Sequence, residues 1–191
     1  MADCIERRHG AYRNTECLTV VGRMLQVGDF VPDCTLEYLD LIDMVVRQTR
    51  LTDSQGMIRL LSIVNSLERQ PCHDETLHWE KLRDKLPAGA CIFTVSMDLP
   101  YSQARWQAMH GVIHQTLSAW RNEQFGHAFG VWLKEWRLLQ RAVLVIDQEN
   151  RVVYTEYIRD QMKEPDYQAA LDAVLGVVFA KSESFGSVKD I

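Results

Sequence analysis

Leu60 to Leu86, LLSIVNSLERQPCHDETLHWEKLRDKL, changes character halfway along. Leu60 to Val64 form a short apolar run of the kind that makes a central strand covered on both faces. From about His73 to Leu86 the residues suit a helix, so the intervening polar residues form a strand-to-helix junction. A single cysteine, Cys72, stands at that junction. Only the thiolate is a good nucleophile, and the unpaired N–H groups and dipole of a helix N-terminus favour an anion by about 0.3–1 kcal/mol. Arg69, three residues earlier, adds positive charge, whereas Asp74 and Glu75 in the expected first turn oppose a second anion.

Working outward, Cys91–Met97 (CIFTVSM) and Ala142–Asp147 (AVLVID) have the same buried-strand character as Leu60–Val64. Arg151–Ile158 (RVVYTEYI) follows the turn DQEN, which predicts an antiparallel hairpin. Helices are predicted over about 73–86, 101–110 and 166–179, the last from the apolar spacing in YQAALDAVLGVVF. The resulting βαβ-then-ββα order is the layout of the thioredoxin fold, an α/β class with a central mixed sheet flanked by helices. Residues 1–16 are polar and aperiodic and are expected to be a flexible extension. Residues 17–180 make one domain, and 181–191, KSESFGSVKDI, a flexible tail.

The 191 residues carry a formal net charge of -5, which argues against a nucleic-acid partner. No apolar run approaches the roughly 20 residues that span a bilayer, and no signal peptide is recognised, so a cytoplasmic protein is expected. Five cysteines without regular spacing suggest free thiols rather than a disulfide scaffold. Cys34 and Cys91 read as small packing residues, and Cys4 and Cys17 as candidates to reach Cys72. His110 and His114, with Cys72, His73 and His78, lack the spacing of a metal set, and neither metal nor cofactor is expected. Trp106 and Trp120 are read as pocket or interface residues.

From Leu25 to Leu175 the chain resembles bacterial thiol peroxidases, the atypical two-cysteine branch of the peroxiredoxins. The segments that carry the resemblance are LQVGDFVPDCTL, LLSIVNSLERQPC, VSMDLPYSQARW, TLSAWRNEQFGHAFGV, RAVLVIDQENRVVYTEYI and EPDYQAALDAVL, in that order. It implies that Cys72 is a peroxidatic cysteine and Arg121 the arginine that supports thiolate and peroxide. The family's loop has proline at the position of Asn65 and threonine at that of Arg69; Pro71, which has no N–H, sits where a backbone donor is usual. The resolving cysteine is missing, its place held by Trp106 and Gln107. The resemblance therefore implies a divergent, peroxiredoxin-like homodimer that reduces hydroperoxides through Cys72 alone, restored by a thioredoxin-like protein or a small thiol. The competing reading is a catalytically degenerate homologue that binds a ligand or protein.

Overall fold

A computed structural model describes residues 5–186. The expected strands are β5 (Ile58–Ile63), β6 (Ala90–Ser96), β10 (Ala142–Ile146) and β11 (Val152–Tyr157). They lie in one seven-stranded sheet with β7 (Gln115–Ser118), β3 (Thr35–Asp40) and β4 (Val45–Arg50), in the order β11-β10-β5-β6-β7-β3-β4. β5 and β6 run parallel, as the crossover through α1 (Gln70–Leu82) requires. β10 pairs antiparallel with both β5 and β11, so the predicted hairpin is present.

Every residue of β5 and of β10 is buried, because the sheet is covered on both faces. One face packs Ile58, Leu60, Ile92, Val143 and Val145 against Trp79 and Leu82 of α1 and Ala170, Leu171 and Val174 of α4 (Tyr167–Gly186). The other packs Leu61, Ile63, Val95, Leu144 and Ile146 against Phe125 of α3 (Gln124–Ala128) and nearby Phe129 and Trp132. α2 (Pro100–His110) starts at a proline, whose fixed φ and missing N–H suit a first turn, and ends at Gly111 with φ 67°. A third, smaller cluster holds Val64, Leu67, Cys72, Trp106 and Val112.

The N-terminus departs from expectation. Instead of a flexible extension, Glu6–Arg13 is β1 and pairs antiparallel with β2 (Glu16–Val21). β2 continues to β8 (Trp132–Leu133) and β9 (Leu138–Leu139), giving a second, four-stranded sheet. The reason is burial: Ala11, Leu18, Val20 and Leu133 form their own apolar cluster under Trp136. The tail differs too, since the backbone of α4 continues through residues 181–186; 187–191 and Cys4 lie outside the described residues.

Trp79 is fully buried, stands edge-on to Tyr167 and donates its indole N–H to Glu75 at 3.3 Å. Trp79→Ala should therefore lower unfolding stability by about 3–5 kcal/mol, read by urea denaturation.

Candidate active site

α1 begins at Gln70, earlier than expected, with Arg69 as an uncapped N-cap and Pro71 in the first turn. Pro71 fits because the first-turn N–H groups have no intrahelical acceptor. Cys72 is the third residue of the helix, and Asp74 and Glu75 fall beyond its first residues. Asp74 lies on the outer side and takes the Gln70 amide, while Glu75 turns inward.

The Cys72 sulfur has no exposed surface. It lies 3.9 Å from the Asn65 side-chain oxygen, to which the thiol donates. Burial pushes the thiol pKa above its ordinary value; hydrogen bonds from the Ser66 and Asn65 backbones and the charge of Arg141 pull it down, and Glu75 pushes it up. Desolvation dominates, so the packed site favours the protonated thiol.

Asn65 does more than accept that proton. Its amide donates to the Leu139 carbonyl and, at 3.1 Å, to Gln161 Oε1, so it ties the end of β5 to β9 and to the segment after β11. Ser66 Oγ and the Leu67 N–H both donate to the Asp98 carboxylate, at 2.7 and 2.8 Å, which tethers the loop ahead of α1.

Beneath Cys72, Glu75 and Arg141 form an ion pair in which both side chains are wholly buried. Arg141 Nε and Nη2 donate to Glu75 Oε2 at 3.0 and 2.5 Å, and Ser62 Oγ and Trp79 Nε1 donate to Oε1. Arg141 Nη1 donates to the Gln161 and Lys163 carbonyls. Four donors on two carboxylate oxygens fit the ionised form, although burial by itself pushes Glu75 up. Burial also disfavours the charge on Arg141, but Glu75 and Cys72 outweigh it and hold the guanidinium charged.

Arg121 is placed elsewhere. Its Nε and Nη2 grip the two oxygens of Glu37 at 2.7 and 3.3 Å, and its guanidinium lies 4.6 Å over Trp120. Trp120 Nε1 donates to the same Glu37 carboxylate. Burial works to raise Glu37, but the hydrogen bonds from Arg121, Trp120 and Gln48 hold it below the usual carboxylate range. Arg69 lies closer to the thiol, stacked 4.4 Å over Trp136. Burial and Arg13 push its guanidinium pKa down, whereas Cys72 and Glu16 push it up.

Gln107, at the resolving position, is engaged with β7, donating to the His114 carbonyl and accepting from Thr116 Oγ1. Its neighbour Trp106 packs beside Cys72 and donates to His73 Nδ1 at 3.2 Å. Cys17 is exposed on β2, Cys34 is buried, and Cys91 is half-buried. Sequence reasoning missed Arg141, Glu75 as a core residue, Gln161 and Asp98. Arg141 did carry a signal, since a charged residue abutting the wholly apolar AVLVI needs a buried partner.

Residues 27–155 match the AhpC/TSA family. A thiol peroxidase from Bacillus subtilis (strain 168) is 35% identical over 162 residues, 84% of this chain and 93% of the relative. One from Halalkalibacterium halodurans is 38% identical over 157 residues, 82% and 91% of the two chains. Among solved structures, a peroxiredoxin-like protein from Aquifex aeolicus superposes with TM-score 0.79 at 23% identity, covering 90% of this chain and 98% of that one. A thiol peroxidase from Chromobacterium violaceum gives 0.76 at 20%, covering 91% and 97%. These two likenesses bear on the fold, which is the thioredoxin fold in its peroxiredoxin form. The chain belongs to the AhpC/TSA family.

Asp98 holds two donors of the loop that covers Cys72. Asp98→Ala should raise the rate at which an aromatic disulfide labels Cys72 by about tenfold or more, because hydrogen bonds to a charged group contribute about 1.5–3 kcal/mol. An unchanged labelling rate would remove the loop tether from the account.

Proposed function

We propose, from the chain's place in the AhpC/TSA family, that it is a thiol-dependent peroxidase that works through Cys72 alone. The observation that carries this reading is the position of Cys72 in the first turn of α1, within the field of the charged Arg141 and beside the backbone donors of Asn65 and Ser66. The Cys72 thiolate attacks the terminal oxygen of a hydroperoxide, the O–O bond breaks, and the alcohol or water leaves with one proton. Cys72 becomes a sulfenic acid. A first external thiol displaces water to give a mixed disulfide, and a second releases Cys72 and carries away the disulfide. A thioredoxin-like protein or a small thiol suits that role, since Gln107 offers no sulfur.

Arg141 is the better placed arginine for this chemistry, its charge acting directly on the Cys72 sulfur, whereas Arg121 is committed to Glu37. Arg69 supplies further positive charge on the Trp136 side, and the Asn65 side-chain oxygen accepts a hydrogen bond from the thiol in the resting enzyme. The sulfur is covered, so a hydroperoxide reaches it only when the segment 66–71 gives way.

A homodimer fits the remaining surface. Leu41, Ile42, Met109 and Ile113 are all at least 65% exposed around a cavity of about 500 Å³ between α2 and the β3–β4 turn. A second copy is the partner we assign to that apolar face. No helix among the described residues is long and apolar enough to cross a membrane. Ile42→Asp with Ile113→Asp should shift the sedimentation coefficient from dimer to monomer with unchanged circular dichroism; a wild-type monomer would overturn the assignment.

The reading is tested by the second-order rate of Cys72 sulfenic acid formation with hydrogen peroxide and an organic hydroperoxide, followed by mass spectrometry. Cys72→Ser should abolish turnover, and Arg121→Ala should change the rate by less than about threefold, because the half-exposed Arg121 guanidinium is held by Glu37 rather than by Cys72. Because the thiol pKa is raised, the thiolate fraction grows with pH, and the rate should still be climbing above pH about 8.5, where an ordinary cysteine is half ionised. A rate no faster than that of a free thiol at every pH would overturn the peroxidase reading.

A further inference from the structure

The Asn65 side chain meets the Cys72 sulfur with its oxygen, 3.9 Å away, and not with its nitrogen. The difference decides what the sulfur is offered. An amide oxygen accepts from S–H and repels a thiolate, whereas an amide N–H donates to a thiolate and favours it. Turning the side chain about its last bond exchanges the two, and nothing in Asn65 itself chooses between them. The choice is made on its far side by two acceptors, the Leu139 carbonyl and, at 3.1 Å, Gln161 Oε1, both of which require the nitrogen.

Gln161 has the same two ends, and the backbone fixes which goes where. The Arg141 backbone N–H can only donate, and it meets Oε1 at 3.0 Å. The Ile158 carbonyl and, at 3.3 Å, the Arg159 carbonyl can only accept, and they take Nε2. Exchanging oxygen and nitrogen at Gln161 would set donor against donor at one end and acceptor against acceptor at the other. Asn65, Leu139, Arg141 and Gln161 are all buried, so such a mismatch would carry its full desolvation cost. The main chain of Gln161 is held as well: its N–H donates to the Tyr12 carbonyl, and its carbonyl accepts from Arg141 Nη1 at 3.2 Å.

We propose that Gln161 is a positioning residue for Cys72: by holding the Asn65 nitrogen it turns the Asn65 oxygen to the sulfur and keeps the resting thiol protonated until the loop ahead of α1 opens. This deepens the reading of Cys72 given above and rests on it only for its bearing on turnover. The charged groups that bear on the sulfur are Glu75 from α1, Arg141 ahead of β10 and Arg69 in the loop. His73 of α1 and His110 of α2 stand against Trp106, and Asp98 holds the loop. Gln161 alters none of these charges; it sets which end of a neutral dipole the sulfur meets.

The test is the rate of Cys72 alkylation by iodoacetamide against pH on the full-length protein, read at that cysteine by mass spectrometry. No hydroperoxide is present, so the outcome is independent of the peroxidase reading. Gln161→Met removes the acceptor and should move the midpoint of the profile lower by about one pH unit, a tenfold change in proton affinity. Gln161→Glu keeps an oxygen facing Asn65 and the Arg141 N–H while removing the donor to Ile158, and should leave the midpoint at or above that of wild type; a merely structural role would lower it in both variants. In Asn65→Val, which has no amide to turn, adding Gln161→Met should move the midpoint no further, since residues that act as one unit are not additive. The infrared difference between wild type and Cys72→Ser should place the S–H stretch below that of a free thiol, as a donating S–H requires. A wild-type midpoint in Gln161→Met, a lowered midpoint in Gln161→Glu, an additive shift in the double variant, or a free-thiol stretch in wild type would each overturn the proposal.

Discussion

Two unlike charges, Glu75 and Arg141, are sealed under the sheet with no exposed surface, and much of the site's arrangement follows from keeping them paired. Taking such ions out of water costs several kcal/mol apiece, which their attraction offsets only when every remaining donor and acceptor is matched. The matching reaches far along the chain. Ser62 comes from β5, Trp79 from α1, and the carbonyls of Gln161 and Lys163 from the turn before α4. Gln161 in turn accepts from the Arg141 backbone and the Asn65 amide. One polar network thus sets the register between α1 and three separate parts of the chain, and Cys72 sits on top of it.

That placement gives the thiol two opposed environments. Arg141 and the backbone donors favour a thiolate, while complete burial and the Glu75 carboxylate favour the thiol. Burial outweighs the rest because the sulfur has no water at all in the packed form, whereas the favourable charges are partly cancelled within the ion pair. Asn65 adds to the same side, since its oxygen is occupied by the S–H. A proline there could neither accept that proton nor bridge Leu139 and Gln161. Asn65 therefore keeps the loop tied and the thiol neutral, and reactivity becomes a matter of how often the loop lets go.

The central βαβ unit, the closing hairpin and the three long helices were legible because buried strands and amphipathic helices leave short-range patterns. Cys72 was legible for the same reason, as a thiol where one pattern gives way to the other. The N-terminal hairpin was not, because β1, ERRHGAYR, interrupts its alternation with a bulge and buries only Ala11 outright. The arginine acting on Cys72 was missed for a different reason. Arg121 stands in a loop segment that looks like a site, whereas Arg141 announces itself only by abutting an apolar strand, and its partner Glu75 reads as an ordinary helix-start acid. Long-range pairing of buried charge leaves no periodicity to read.

The hairpin also alters the surroundings of the site. Trp136, clamped by Glu16 of β2, carries the Arg69 guanidinium on its ring, so β2 reaches the loop that leads into α1. β1 meets the other end of the network, where the Tyr12 carbonyl accepts from the Gln161 N–H and the Tyr12 N–H donates to the Arg159 carbonyl. A segment that contributes no nucleophile thereby braces both the cationic side of the thiol and the residue that bridges Asn65 to Arg141. Losing its pairing would remove the Tyr12 hydrogen bond from Gln161 and loosen the support under Arg69, so the small surface sheet and the surroundings of the buried sulfur are physically linked.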